Sequence, residues 1–350
     1  LVVFTTEGAN QKATYTVTDF AGNTASVTEV ANIDKTPPVI TATRTPEPNA
    51  NGWNNGDVTA TYTASDVLSG LDANSPSEGS YIFNREGKNQ SHTFIVSDLA
   101  GNSAEATIEG VNIDTTPPKI IAGKPQGEKG SNGWYKSDVT VSFTAEDNLS
   151  GFDEQGTLTA TLSGKATSGE GENLIVASDT ITDRAGNIGE AVTVGSFKVD
   201  KTPPQITASI NPESPDGANG WYKSKPTVTY TVVETGSGID EANSDYADDI
   251  LSDGKDQTAS GYVQDMAGWY AEASIANIDV DTTPPTITVT RTPQPNEAGW
   301  NNEDVTVEFH PEDVTSGIAT EAGDALVVFT TEGANQKATY TVTDFAGNTA

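Results

Sequence analysis

Apolar and polar positions alternate along this chain with a period of two. Val58, Ala60, Tyr62 and Ala64 share one side of a segment and Thr59, Thr61 and Thr63 the other, and Val139, Val141, Phe143 and Ala145 repeat the scheme. Such alternation predicts strands buried on one face. No stretch of a dozen residues carries helical 3.6 spacing, and the many β-branched Thr and Val residues favour strands as well. The pattern predicts an all-β chain of sandwiches.

The strands recur as a unit. Thr-Pro-Pro signals place their first prolines at Pro37, Pro117, Pro203 and Pro284, at intervals of 80, 86 and 81 residues. That period is too long for a solenoid coil and matches one small sandwich per repeat. Within each repeat a tryptophan follows (Trp53, Trp134, Trp221, Trp300), then an alternating strand ending in an acid and Ser-Gly, then a second alternating strand ending in Asp-x-Ala-Gly. An acid just before the next prolines closes the unit.

Residues Leu1 to Ala25 are identical to Leu326 to Ala350, so the chain starts and stops at the same phase of a 325-residue period, about four repeats of 81. This predicts a window from a much longer periodic protein. The rival reading is that incomplete terminal repeats complement each other between chains by strand addition.

Composition narrows the possible partners. With 18 Lys and Arg against 50 Asp and Glu, the net charge is −32, which excludes a nucleic-acid binder because a phosphate backbone needs clustered basic residues. An anionic membrane would also repel the chain unless divalent cations screened it. No apolar run is long enough to predict a transmembrane segment. There is no cysteine, which removes disulfides and thiolate zinc sites.

The segments NIDKTPPVITATRTPEPNANGWNNGDVTATYTASDVLSGLD and FIVSDLAGNSAEATIEGVNIDTTPP resemble the bacterial immunoglobulin-like (Big-type) tandem repeats of large cell-surface and adhesin-type proteins. Such repeats also occur as appendages of secreted hydrolases. The resemblance covers essentially the whole chain. It implies tandem immunoglobulin-like β-sandwich domains arranged as an extended rod, outside the cell and at its surface. Expected domains are residues 34–113, 114–199 and 200–280, with 1–33 the C-terminal part of one domain and 281–350 a domain lacking its last strand. The implied role is a stalk spacer or filament-forming array, self-associating or bound to an unidentified surface receptor. The alternative is a non-catalytic binding appendage of a secreted hydrolase.

The recurring acids are the candidate chemistry. Asp66 keeps the parity of Val58 to Ala64, Asp147 that of Val139 to Ala145, and Asp98 that of Phe94 and Val96. These acids therefore end their strands on the inward side. If the two strands are B and F of an immunoglobulin-like topology, both end at the pole where the chain enters, beside the acid that precedes the prolines. Three carboxylates per repeat would then converge: Asp34, Asp66 and Asp98; Asp114, Asp147 and Asp183; Asp200, Glu234 and Asp265; Asp281, Asp313 and Asp344. Like charges gathered away from water require a compensating proton, donor or cation, and calcium, with 6 to 8 oxygen ligands, suits such a place. The other reading is an Asx-turn, in which the Asp of Asp-x-Ala-Gly-Asn accepts turn N–H groups while Gly takes positive φ. The third set departs from the pattern, with Glu234 in place of Asp and Trp269 in place of Asn.

Other features read as structural. Asp245, Asp248, Asp249, Asp253 and Asp256 fail the EF-hand register, with Leu251 and Ser260 at ligand positions, and read as a solvated loop. The four phased tryptophans read as packing residues. The out-of-phase pair Trp269 and Tyr270 reads as a surface or junction contact. His92 and His310 lie in different repeats without recurring Ser and Asp partners, so no catalytic triad is expected. The chain reads as a non-enzyme.

Overall fold

The computed structural model describes residues 1–319 and 325–350. It is all-β, and among the described residues the single helical element is a 3₁₀ turn at Glu241–Asn243. The chain divides into two compact units. One comprises residues 1–126, 140–166 and 175–194, and the other residues 127–139, 167–174 and 195–350.

The clearest sandwich of the first unit follows Asp34. Strands Val39–Thr45, Val58–Ser65 and Glu78–Phe83 form a three-stranded antiparallel sheet with Val58–Ser65 in the middle. Strands Gly87–Ser97 and Ser103–Ile113 form the second sheet. The predicted alternation is the packing rule: Val58, Ala60, Tyr62 and Ala64 are buried and meet Phe94, Val96, Val111 and Ile113 from the facing sheet. This is an immunoglobulin-like sandwich with few strands. Farther along this unit, Val141, Phe143 and Ala145 of strand Thr140–Glu146 are buried by the same period.

The second unit repeats the arrangement. Gln205–Asn211, Thr227–Val233 and Asp249–Ile250 make one sheet; Trp221–Tyr222, Tyr270–Val280 and Gly254–Gln264 make the other. Between them lie Tyr222, Val228, Ala259, Ile278 and Val280. A further sheet joins Thr286–Thr292, Val305–Glu312 and Ala325–Phe329.

The phased tryptophans pack as expected in three repeats. Trp53, Trp134 and Trp221 are buried. Each sits where a short segment pairs in parallel with the last strand of its repeat: Asn54 with Ile113, Trp134 with Lys198, and Trp221 with Asp279. Trp300 is 58% exposed.

The first hairpin pairs Gly8–Thr18 with Thr24–Ile33. Tyr15, Val17 and Asp19 are exposed, because the two strands form a sheet on their own. Asp344, the same residue within an identical 25-residue sequence, is buried. Local sequence thus sets the turn, and the rest of the repeat sets its burial.

Candidate metal centre

Each repeat brings its three acids together. In all four sets, one carboxylate oxygen from each residue lies within 4.8 Å of the other two. The geometry follows from the elements. The second proline of each linker is buried and fixes where the chain enters the sandwich. The central strand of one sheet ends at the second acid, and the turn joining the last two strands begins with the third. Asp114, Asp147 and Asp183 are all buried; in the set of Asp34, Asp66 and Asp98 only Asp98 is buried.

Main-chain donors meet many of the carboxylate oxygens. Asp114 Oδ1 accepts from Thr116 N at 3.1 Å and its Oδ2 from Ser150 N at 2.9 Å, so one side chain ties the linker to the turn after the central strand. Asp34, Asp200 and Asp281 repeat this with Ser69, Ser237 and Ser316. Asp147 Oδ1 accepts from Leu149 N and Gly151 N at 2.9 and 2.7 Å. Asp183 Oδ1 accepts from Gly186 N and Asn187 N, with Gly186 at φ 99°, where a side chain would be strained. The Asx-turn reading describes these turns. Hydrogen bonds from Ser69 and Thr36 hold the Asp34 carboxyl below its usual range.

Some oxygens remain without donors. Asp147 Oδ2 and Ser150 Oγ are buried and have no hydrogen-bond partner, and Asp265 Oδ2 shares that condition. Asp147 is 5% exposed and Ser150 1%. Burial, together with the charges of Asp200 and Glu234, pushes the Asp265 carboxyl above its usual range, against hydrogen bonds from the main chain that lower it. Among the described residues no ion pair places a lysine or arginine on any of the twelve carboxylates. A hard cation with oxygen ligands fits this donor set: carboxylates and, at the second set, a hydroxyl, with open lone pairs in a buried place.

The same poles carry contacts between successive repeats. Asn49 and Asn51 donate to Arg184 O at 2.8 and 3.1 Å, Asn132 to Met266 O at 3.1 Å, and Asn219 to Phe345 O at 2.9 Å. The Asn-Gly-Trp loop of one repeat therefore seats on the acid-bearing turn of the next. Trp269 is partly buried at such a contact, with Lys136 Nζ 4.5 Å from its ring centroid. Tyr270 is exposed beside Tyr262.

One recurring acid escaped the sequence reading. Glu7, Glu86, Glu170 and Asp253 each accept hydrogen bonds from the residues that follow the linker acid, in the last case from Thr282 N and from the hydroxyls of Thr282 and Thr283. Its signal was present as EGANQ, EGKNQ, EGENL and DGKDQ, just before the last hairpin of each repeat. In three of these the Gly and Gln flank a register shift, and the Gln side chain caps the bulge. Asp253 belonged to the stretch read as a solvated loop; it and Asp249, which accepts the Tyr230 hydroxyl at 2.9 Å, have defined partners.

No known protein-family signature matches the chain. It is 30% identical over 382 residues to Hyalin of Strongylocentrotus purpuratus, matching 98% of this chain. The chain spans 30% of the length of that relative. Among solved structures, it is similar to one described as concerning host cell surface retention of a 1.5-MDa bacterial ice-binding adhesin, with 16% identity, 71% of this chain and 99% of the other covered, and a TM-score of 0.30. A tetra-tandem repeat from the extending region of a large adhesion protein gives 14% identity, 99% and 91% coverage, and a TM-score of 0.26. Among the described residues no helix is long and apolar enough to cross a membrane.

Proposed function

We propose that the chain is a structural and adhesive segment of a long repetitive cell-surface protein, a non-catalytic spacer whose junctions take up calcium. The observation that carries the reading is the junction itself. Four times, a linker acid, an acid after the central strand and an acid opening the last turn converge within 4.8 Å. At the second junction all three are buried beside the unpartnered Asp147 Oδ2 and Ser150 Oγ. Removing a carboxylate from water costs several kcal/mol, and three together add mutual repulsion, so a divalent ion would offset a large penalty at the point where one repeat meets the next. The similarity to Hyalin and to adhesin repeats agrees with such a role.

The test compares small-angle scattering profiles and melting temperature with calcium and after chelation, in the native chain and in Asp147→Ala plus Asp183→Ala. Calcium is expected to raise the melting temperature and lengthen the mean end-to-end distance of the native chain, with a smaller response in the double variant. Identical behaviour with and without calcium would leave turn capping as the whole role of these acids.

A further inference from the structure

Three repeats use one asparagine to make the same two bonds. Asn102, Asn187 and Asn348 each donate Nδ2 to the second oxygen of the turn aspartate, at 2.7, 2.8 and 2.9 Å. The same amide donates to the main-chain oxygen of the linker aspartate, at 3.2, 2.8 and 2.9 Å.

The third repeat carries Trp269 instead. Its indole Nε1 donates to Asp200 O at 3.0 Å, replacing the bond to the linker, and its main-chain N donates to Asp265 Oδ1 at 2.8 Å. An indole has one N–H where an amide has two. Nothing remains for the second carboxylate oxygen, so Asp265 Oδ2 is without a partner on a residue that is 0% exposed. Lys136 pins the ring, with Nζ over its face and donating to Gly268 O at 2.8 Å. In the sequence the change is a departure from the Asp-x-Ala-Gly-Asn pattern. In the fold it keeps the connection to the linker and removes the donor that occupies the carboxylate elsewhere.

We propose that Trp269 is a positioning residue that leaves Asp265 Oδ2 open as a direct ligand for a hard divalent cation of the calcium class, held with Asp200 and Glu234. The cluster then binds that cation more tightly than it would with asparagine at position 269. This rests on the cation reading above. An amide N–H₂ pointing at a carboxylate oxygen sets partial positive charge where the ion must approach, and withdrawing it removes that opposition. Glu234 contributes from a longer arm, with Oε1 held by Gly236 N.

The experiment is a calorimetric calcium titration of the intact chain, Trp269→Asn and Asp265→Asn, with the melting temperature of each taken without calcium. Trp269→Asn should weaken one site by about tenfold or more, as expected for a residue that orients a ligand, and leave the other sites and the calcium-free melting temperature unchanged. Asp265→Asn should remove that site. In the native chain, terbium emission excited through tryptophan should saturate and be displaced by calcium with the affinity of the site that Trp269→Asn weakens. If Trp269→Asn lowers the calcium-free melting temperature, Trp269→Phe separates the effects, because it adds no amide donor. Affinity kept with Phe and lost with Asn supports the proposal, and equal loss overturns it. Calcium binding unchanged in both Trp269→Asn and Asp265→Asn overturns it while leaving the other junctions intact. No calcium binding by the native chain overturns the cation reading, and this proposal with it.

Discussion

Glu86 Oε1 accepts both the main-chain N–H of Thr115, at 2.8 Å, and its hydroxyl, at 2.6 Å. The hydroxyl of Thr116 reaches the same oxygen at 2.8 Å. One exposed carboxylate therefore holds the two residues between Asp114 and the prolines. Replacing it with alanine should destabilise the junction by about 0.5–1 kcal/mol, a charge-assisted bond discounted for solvent screening. Urea unfolding of Glu86→Ala against the native chain measures this.

The same acid predicts a pH dependence. The hydroxyls of Thr115 and Thr116 hold the Glu86 carboxyl below its usual range. A folded-state pKa below the unfolded one gives stability that is present above the unfolded value, 4.5 for a free Glu, and is lost as pH falls through the folded value. Melting temperature measured downward from pH 6 should fall less steeply in Glu86→Gln than in the native chain.

Tyr230 should resist ionisation. Burial, and then its hydrogen bond to Asp249, push the phenol up to about 12 from 10.0. Its folded pKa exceeds the unfolded one, so the stabilisation is complete below pH 10 and disappears as pH rises through about 12. Ultraviolet titration should show a late tyrosine step that Asp249→Asn shifts downward and Tyr230→Phe removes.

Core truncation should act on a much larger scale. Phe143 is 0% exposed at the centre of its strand, so Phe143→Ala should cost about 3–5 kcal/mol. Leu99 is 66% exposed on a turn, and Leu99→Ala should change stability by less than about 0.5 kcal/mol. Chemical denaturation of the two variants side by side checks the contrast.

The seams between repeats offer a separate test. Asn132→Ala removes the donor to Met266 O and to the Met266 sulfur. It should raise amide hydrogen exchange in the turn Asp265–Trp269 while leaving the strands Gly254–Gln264 and Tyr270–Val280 protected. Exchange read by mass spectrometry reports both regions at once.

Strand identity was legible because burial on one face imposes a period of two: the buried set Val58, Ala60, Tyr62 and Ala64 is the set that the alternation picks out. The convergence of Asp114, Asp147 and Asp183 was legible for the same reason, since parity carries inward direction to the strand end. What lay beyond reach depended on partners distant in sequence. That Glu86 meets Thr115 requires the bulge at Gly87 and Gln90, a backbone event that alternation does not encode. The effect of Trp269 on Asp265 turns on counting N–H groups once both bonds are in view. The burial of Asp344 and exposure of Asp19, inside identical sequence, depend on the rest of the repeat.

The parallel pairing beside the buried tryptophans sets how each of these repeats would respond to an applied force. Asn54 N donates to Asn112 O, and Asp114 N donates to Asn54 O, both at 3.0 Å. Tension entering through the linker at Asp114 draws Ile113 along its own strand axis, so both bonds are sheared together instead of opening one after the other. The pairs Trp134 with Lys198 and Trp221 with Asp279 repeat the geometry. Each such repeat is expected to hold against force and then give way in one step, which single-molecule pulling would record as a sharp peak for every repeat extended.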